Sequence, residues 1–415
     1  MRRLLMVMKM RNRGIMLVTV VAIGVVVTSL ATIGLGFDVG ESSSRRIIAI
    51  EQRWDGSITA RYVKVSDLKP NSSMLFLDPF NKTMQEFYKG SNPNPVSLIR
   101  LLEKADAYEY YRLIRLPEMY GGDANDISSY RAYSIVGINM LQKCLVGYRS
   151  ERQWIEDPCS GDVYRVWDGI VIYGYSMSGN ITGSPNALAR LRLGVDSDGY
   201  IVAFKGDDSV RGDGIPGHGR IILGKDVIDS SRAMLNAVSK HLGINLPMID
   251  GYIPTRVDVW HRWMDNINSN MQDKQYIDYI NVSYVGINST GISRYTLSIF
   301  DLTKHPILRL EQRQESSALT ILNLLGYNPE SDSCRYEKST GSTDGKYYIL
   351  ISRWYLTGST GEPSCSILEH TMSVWISDDA DGVGGYLIIV VGYMLSSEEM
   401  LATVKALDIK EIDIS

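Results

Sequence analysis

The hydrophobic pattern of the chain is dominated by one apolar run near the N-terminus. Residues 14–37 carry no charged side chain and are rich in Val, Ile and Leu, and a helix of this length can cross a bilayer. Because positive charge is retained in the cytoplasm, the basic flank predicts a cytoplasmic segment 1–13, a transmembrane helix 14–37 and an extracytoplasmic remainder. The basic residues of this flank are Arg2, Arg3, Lys9, Arg11 and Arg13.

A cleaved signal peptide is the alternative interpretation of this run. Signal-peptide cores are usually shorter than residues 14–37, and no small-x-small cleavage site follows them. The pattern therefore favours a retained anchor, which predicts a single-pass protein of the cell membrane with its N-terminus in the cytoplasm.

The periodicity of the second half predicts helices that alternate with a sheet. Residues 225–242 have helical spacing, and residues 276–300 contain two strands with alternating side chains. An amphipathic helix is predicted over residues 310–326. The last helix begins at Ser396, whose spacing to Glu399 is that of a capping box. Three further strands are predicted at residues 347–356, 371–377 and 386–393.

A stretch dense in Gly and Asp divides the chain after the anchor. Residues 206–222 contain too many turn-forming residues for regular structure and predict a linker. This linker separates a first domain at residues 45–205 from an α+β extracytoplasmic domain at residues 223–415. The chain beyond the anchor is long enough for two such domains.

Two cysteine-containing segments carry the most specific pattern of the first domain. The first segment is Asn139-Met140-Leu141-Gln142-Lys143-Cys144, and the second is Asp157-Pro158-Cys159-Ser160-Gly161-Asp162. They resemble the cluster-binding loops of Rieske iron–sulfur proteins, whose pattern is Cys-x-His-x-x-Cys followed by Cys-Pro-Cys-His-Gly-Ser. The resemblance covers roughly residues 60–205. Outside the cysteines it is carried by residues that match the flanking strands and turns of the family, namely Ala132-Tyr133-Ser134, Gly161, Tyr164, Gly169, Gly174, Leu188, Leu191, Asp198 and Gly199.

The ligand positions of this family are replaced in the present chain. When the two cysteines are aligned, the four positions hold Asn139, Leu141, Asp157 and Ser160. A shifted register puts Ile138 and Met140 at the first pair instead, and neither register supplies a ligand. A Rieske [2Fe–2S] centre needs two thiolates and two imidazoles. The resemblance therefore implies a degenerate Rieske-like domain, and we expect no iron–sulfur cofactor.

Other metals are also not expected at these loops. The five histidines of the chain all lie outside residues 139–160, so no set of soft ligands remains. A hard cation at Asp157 and Asp162 is conceivable. A pair of carboxylates without further oxygen ligands is a poor site, so we expect both to be solvated loop acids.

The four cysteines are even in number, which suits an oxidising compartment outside the cytoplasm. Four cysteines allow three connectivities, and four buried free thiols are the alternative. The Rieske resemblance implies a Cys144–Cys159 disulfide, which leaves Cys334 and Cys365 for a second bridge. It also implies that Tyr164, which in the family hydrogen-bonds a cluster thiolate, needs another partner; we expect Asp157.

Several classes of function are disfavoured by composition and motif. A net charge of -4 and the lack of a basic patch with interleaved aromatics argue against nucleic-acid binding. No nucleophile, zinc-protease or phosphate-loop motif is present, so no catalytic residue and no enzyme activity are predicted. His261 is expected on a helix as a packed residue rather than a catalyst. Five sequons are candidates for glycosylation on surface loops of an exported protein: Asn71, Asn81, Asn180, Asn281 and Asn288.

The expected fold is a mainly β, Rieske-like antiparallel β-sandwich followed by the α+β domain, with one N-terminal transmembrane helix. The resemblance implies a membrane-anchored protein of the respiratory-complex type. The end of the chain, a strand followed by Ser-Ser-Glu-Glu and a helix, resembles small extracytoplasmic modules of bacterial and archaeal-type membrane-anchored proteins. We therefore expect a structural or accessory subunit related to quinol-oxidising complexes, with cytochrome b-type or oxidase subunits as partners. The alternative is an extracytoplasmic binding or sensing module unrelated to electron transfer.

Overall fold

The computed structural model describes most of the chain beyond the predicted anchor. None of its described helices is long and apolar enough to span a membrane, and the predicted transmembrane helix at residues 14–37 lies outside the described residues. The predicted helix at 310–326 and nearly all of the predicted linker at 206–222 also lie outside them. The described residues are 44–52, 55, 57–89, 109–138, 144–174, 186–204, 220–221, 224–264, 275–286, 294–301, 304, 335–343, 346–357, 364–376, 385–393 and 395–407.

Short antiparallel strands build the described part of the first half, where the α-helix α1 (Lys82–Lys89) follows the fourth strand. The strands are β1 (Ser44–Arg46), β2 (Ile48–Gln52), β3 (Ile58–Tyr62), β4 (Ser72–Leu77), β5 (Tyr110–Arg115), β6 (Tyr130–Ser134), β7 (Gly147–Arg149), β8 (Trp154–Glu156), β9 (Val163–Arg165), β10 (Val171–Tyr173), β11 (Asn186–Ala187), β12 (Arg190–Leu191), β13 (Leu193–Val195), β14 (Ile201–Phe204) and β15 (Arg220–Ile221).

These strands form four sheets. A six-stranded sheet has the order β12-β6-β5-β4-β2-β3, and a three-stranded sheet has the order β1-β14-β13. Alternating side chains of both sheets, among them Phe76, Leu113 and Ile201, are buried in a shared core. A separate four-stranded sheet, β10-β9-β8-β7, carries the cysteine loop, and β11 pairs with β15. The predicted mainly β, antiparallel architecture is confirmed for the described residues.

The second half is one wide antiparallel sheet with helices before and after it. Its order is β16-β17-β18-β22-β21-β20-β19, so two runs of neighbouring strands meet where β18 pairs with β22. The elements are α2 (Gly224–Leu242), β16 (Tyr252–Met264), β17 (Gln275–Gly286), β18 (Arg294–Asp301), β19 (Arg335–Thr343), β20 (Lys346–Thr357), β21 (Ser364–Ile376), β22 (Tyr386–Tyr393) and α3 (Ser397–Ala406).

Most of the elements predicted in the second half are found. The helix at 225–242 is α2, and α3 begins after Ser396, where the capping box is complete: the hydroxyl of Ser396 accepts the N–H of Glu399, whose carboxylate accepts the N–H of Ser396. The helical prediction for His261 is wrong, because this residue lies in β16. Val259, Trp260 and His261 are exposed in succession, so this end of β16 has no alternation of buried and exposed positions.

Apolar side chains from both halves share one core. Helix α2 packs against β16, and its buried side chains contact residues of the first half on one side and the wide sheet on the other. Helix α3 adds further apolar side chains to the same cluster. Representative members are Ile114, Tyr133, Val166, Leu188, Met234, Val238, Val257, Val282, Leu297, Ile388, Met400 and Val404.

Candidate functional site

The cysteine loop connects two strands of the four-stranded sheet. Residues 157–162, which we call the stapled loop, run from the end of β8 to the start of β9. The N–H of Asp157 donates to the carbonyl of Asp162 at 2.8 Å, and the N–H of Gly161 donates to the carbonyl of Asp157 at 3.0 Å. Gly161 has a φ of 70°, a left-handed conformation that a residue without Cβ adopts without strain. The result is a closed turn whose N–H groups point inward.

A disulfide joins this loop to the segment that begins at Cys144. Cys144 and Cys159 are bonded, with Cα atoms 6.0 Å apart, and the predicted Cys144–Cys159 pairing is confirmed. The N–H of Gly137 donates to the carbonyl of Cys144 at 3.2 Å, which ties this segment to the chain that leaves β6. Cys334 lies outside the described residues, so its bridge to Cys365 stays a prediction.

Asp157 closes the stapled loop from the inside. Its side chain is buried, and its Oδ1 accepts the N–H of Cys159 at 2.9 Å and the N–H of Ser160 at 3.3 Å. Its Oδ2 lies against Gly137, where any Cβ would overlap it. The expectation of a solvated acid is therefore wrong. The inward N–H groups of the turn need an acceptor, and a short carboxylate at the first position supplies one.

Asp162 is also buried, so the expectation that it is a solvated loop acid is wrong as well. Its side chain is fully covered, and its carboxylate packs beside Gly174, a position where a Cβ would overlap both the carboxylate and the Asp162 backbone. Its N–H donates to the hydroxyl of Ser160 at 3.2 Å. The two carboxylates are therefore enclosed by backbone, and neither extends into solvent.

Tyr164 lies directly behind the loop. Its ring is fully buried, and its hydroxyl accepts the N–H of Ile138 at 3.3 Å. Burial raises the pKa of Tyr164, and the charges of Asp162 and Asp157 raise it further. The expected partner was Asp157; the hydrogen bond found is to Ile138, because the Asp157 carboxylate is turned toward the N–H groups of its own loop.

The residues at this loop do not fit a [2Fe–2S] cluster. Cys144, Asp157 and Cys159 place ligand-type atoms within 4.8 Å of one another, but the two sulfurs are bonded together and neither is a thiolate. Asp157 already accepts two backbone N–H groups, and Ser160 accepts a third. Of the other predicted ligand positions, Asn139 and Leu141 lie outside the described residues. A Rieske centre needs thiolates and imidazoles, which these side chains cannot supply.

A buried ion pair lies on the other side of β9. The guanidinium of Arg165 forms a bidentate pair with Asp168, with Nε donating to Oδ1 at 3.0 Å and Nη2 donating to Oδ2. The carboxylate also accepts the hydroxyl of Ser230 at 2.6 Å and the N–H of Ile170 at 3.3 Å. Both charged side chains are at least 95% buried, so these bonds are made without competition from water.

The same guanidinium binds the second half of the chain. Nη1 of Arg165 donates to the hydroxyl of Ser231 in α2 at 3.0 Å and to the carbonyl of Pro254 in β16 at 2.6 Å. Nearby, the N–H of Val257 donates to the hydroxyl of Tyr120 at 2.9 Å. Sequence reasoning missed this network; its only local signal is the spacing of three between Arg165 and Asp168.

The remaining candidates that the structure describes lie on other elements. His261 is exposed, and its Nδ1 lies 2.6 Å from the Oδ1 of Asp278 on the neighbouring strand. The amide of Asn71 donates to the carbonyl of Ser150 at 3.2 Å, and the Oδ1 of Asn81 accepts an N–H of α1 at 2.6 Å. Asn281 lies within β17 instead of the predicted surface loop, whereas Asn180 and Asn288 lie outside the described residues. Glycosylation stays a prediction.

Comparison with known proteins gives structural matches only. No protein-family model and no curated protein matches the chain. A quaternary ammonium Rieske monooxygenase is similar at 7% identity over 71% of this chain and 66% of that chain, with a TM-score of 0.18. The same kind of enzyme with L-carnitine gives 8% identity over 71% and 65% of the two chains, again with a TM-score of 0.18.

A third similar structure is the terminal oxygenase of carbazole 1,9a-dioxygenase from Novosphingobium sp. KA1. It is 11% identical over 72% of this chain and 70% of that chain, with a TM-score of 0.17. The structures named here are Rieske-type oxygenases and not respiratory subunits. TM-scores of this size do not indicate a shared function.

Proposed function

We propose that this protein is a degenerate Rieske-like protein that carries no cluster, is held at a membrane by its N-terminal segment, and acts as a structural or accessory subunit. Such a subunit binds a partner and does not transfer electrons. The proposal joins the anchor predicted at residues 14–37 to the chemistry of the stapled loop, and the respiratory-complex type of Rieske protein is the type that the motif resemblance implies.

The main support for the proposal is the hydrogen bonding of Asp157. Its carboxylate accepts the N–H groups of Cys159 and Ser160, so the loop is satisfied by its own side chain. Hydrogen bonds and burial can tune a cluster, but they cannot replace its ligands. A loop that is held by its own carboxylate and by a disulfide is rigid, and a rigid loop is suited to presenting a fixed surface to a binding partner.

The test is metal analysis of the full chain purified from membranes, with low-temperature EPR spectra. We expect no stoichiometric iron or acid-labile sulfide and no Rieske signal. A ligand-intact Rieske protein expressed in the same host controls for cluster assembly. Stoichiometric iron with a [2Fe–2S] signal in the present protein overturns the proposal.

The partner is tested separately. We expect the full chain to co-purify in mild detergent with cytochrome b-type or oxidase subunits of its own organism, because the resemblance implies a respiratory assembly. Recovery without any cytochrome, by absorbance and mass spectrometry, overturns this part of the proposal. It then favours the second candidate, an extracytoplasmic binding module.

That second candidate is supported by one specific feature. A cleft of about 340 Å³ lies between the four-stranded sheet and the strands β16–β18 of the wide sheet. Ligand sites occur preferentially where two packed units meet, and this volume lies within their usual range. A binding module therefore has a place for a small ligand.

A further inference from the structure

The cleft between the two sheets has one polar wall. Ser283 of β17 pairs with Thr296 of β18, and Val285 pairs with Arg294, so side chains two residues apart rise from the same face. Ser283, Thr296 and Arg294 all line the cleft. Two hydroxyls and one guanidinium therefore meet on this wall.

The opposite wall is aromatic and apolar. It is formed by the small sheet, where Trp154, Ile172 and Tyr173 line the cleft. The indole N–H of Trp154 donates to Glu156 at 2.6 Å, and Arg149 and Arg152 also bind that carboxylate, which fixes the plane of the ring. The guanidiniums of Arg256 and Arg152 lie 5.4 Å and 6.0 Å from the centre of this ring, so the indole lines the cleft with the surface that these cations leave uncovered.

The cleft carries an available positive charge. The guanidinium of Arg294 lies 4.9 Å from the centre of the Tyr173 ring, which is 50% exposed. In the described part of the chain no carboxylate lies within salt-bridge distance of Arg294, whereas the neighbouring Arg256 is paired with Asp258 at 2.6 Å. Among the described residues, Arg294 therefore has no acid to displace when it binds an anion, and a guanidinium suits a carboxylate or phosphate.

We propose that this cleft binds a small organic anion with a flat apolar body. The anionic group is held by Arg294 and by the hydroxyls of Ser283 and Thr296, and the body lies against Trp154 and Tyr173. This inference rests on the binding-module form of the proposed function. A carboxylate and a phosphate monoester share the required chemistry, and the experiment separates them.

The experiment is calorimetric titration of the full chain in detergent with benzoate, phenyl phosphate and the neutral benzamide. We expect one of the two anions to bind at least tenfold more tightly than benzamide, which corresponds to about 1.4 kcal/mol. The tighter of the two identifies the anionic group. Binding of neither anion, or equal binding of benzamide, overturns the proposal.

Variants locate the site. Arg294→Gln is expected to weaken anion binding about tenfold or more, while Arg294→Lys retains part of it. Arg335→Gln is the matched control, because Arg335 lies 4.8 Å over the Trp354 ring on the far edge strand β19 and does not line the cleft. Equal affinity in wild type and Arg294→Gln overturns the proposal, and so does an equal loss in Arg335→Gln.

Two further measurements keep the outcomes separate. Thr296→Val is the second cleft variant and is used if Arg294→Gln does not melt cooperatively; an affinity equal to wild type in this variant overturns the proposal. Iron content is measured on the same preparation as binding. Iron with a Rieske signal overturns the cluster-free function, whereas anion binding that is independent of Arg294 overturns the cleft alone.

Discussion

The two buried carboxylates on either side of β9 are satisfied in different ways. Asp157, before the strand, accepts only N–H groups of its own loop. Asp168, after the strand, is paired with Arg165 and also accepts a hydroxyl from α2. A buried charge can be stabilised by local backbone dipoles or by a cation, and the choice decides what the residue holds together.

This difference separates two tasks within one small sheet. Asp157 fixes the conformation of the stapled loop and packs against Gly137 in the chain that leaves β6, but it makes no contact with α2 or β16 among its hydrogen bonds. Asp168, through Arg165, fixes the packing of the first half against α2 and β16. The stapled loop can therefore change its chemistry without disturbing the junction, and the predicted loss of cluster ligands is compatible with an intact fold.

The largest effect is expected at the junction. Arg165→Met leaves Asp168 buried without its cation, and we expect a loss of about 3–5 kcal/mol in the free energy of unfolding, measured by urea denaturation. The control is Arg152→Met, whose salt bridge to Glu156 is exposed and should cost less than about 1 kcal/mol. The double variant Arg165→Met with Asp168→Leu should recover part of the loss. Equal costs for Arg165→Met and Arg152→Met would contradict a buried junction.

The disulfide of the stapled loop should have the next largest effect. Cys144→Ser opens a bridge that spans 15 residues, and we expect a loss of about 3 kcal/mol, read as a lower Tm. A wild-type Tm that is the same under reducing and oxidising conditions would contradict it. Any sensitivity to reductant that persists in Cys144→Ser with Cys159→Ser reports the predicted Cys334–Cys365 bridge.

Removing the loop carboxylate should cost less than either change. Asp157→Ala leaves the N–H groups of Cys159 and Ser160 without their acceptor, and we expect a loss of about 1–2 kcal/mol in urea denaturation. Asp157→Asn keeps an acceptor oxygen and should cost less. Asp126→Ala is the matched control, since Asp126 accepts the N–H of Ser128 at 2.7 Å in an exposed turn. A similar loss at Asp126 would mean that burial of Asp157 adds nothing.

The smallest effect should be visible only at alkaline pH. Burial raises the pKa of Tyr164 in the folded protein, with the charges of Asp162 and Asp157 adding to the shift, while the unfolded value is about 10. The neutral hydroxyl therefore contributes its full stability below about pH 10 and loses it as the pH rises further. Between about pH 9 and about pH 11, the Tyr164→Phe variant should lose less free energy of unfolding than the wild type. If the wild type and Tyr164→Phe had the same pH dependence, Tyr164 would be exposed to solvent, which would contradict its burial.

Local signals in the sequence were sufficient for some parts of the structure. The capping box at Ser396 and the helical period of α2 depend on neighbours in sequence, and both were predicted. The Cys144–Cys159 bridge followed from the resemblance. In contrast, β16 was missed at His261 because Val259, Trp260 and His261 are exposed in succession and no buried face imposes alternation there. β19 was missed because its Ser-, Thr- and Gly-rich sequence carries little hydrophobic signal.

The candidate site was less predictable than the fold. Asp157 and Asp162 stand in a Gly- and Pro-containing loop, a context that usually indicates solvent, and their burial depends on Gly137 and Gly174 approaching from other segments. The partners of Arg165 at Ser231 and Pro254 come from α2 and β16. The wall formed by Ser283, Thr296 and Arg294 required the register of two strands. Such arrangements depend on tertiary packing, which periodicity does not encode.

The order of the wide sheet has a consequence for how the chain folds. The strands β16 to β18 are neighbours in sequence, and so are β19 to β22, but the two groups join only where β18 pairs with β22. Each group can form through short connections, whereas the join brings together strands separated by all of β19–β21. Closing that separation costs chain entropy before any contact at the join compensates for it. Folding of this half should therefore be slow, with a rate set by its topology.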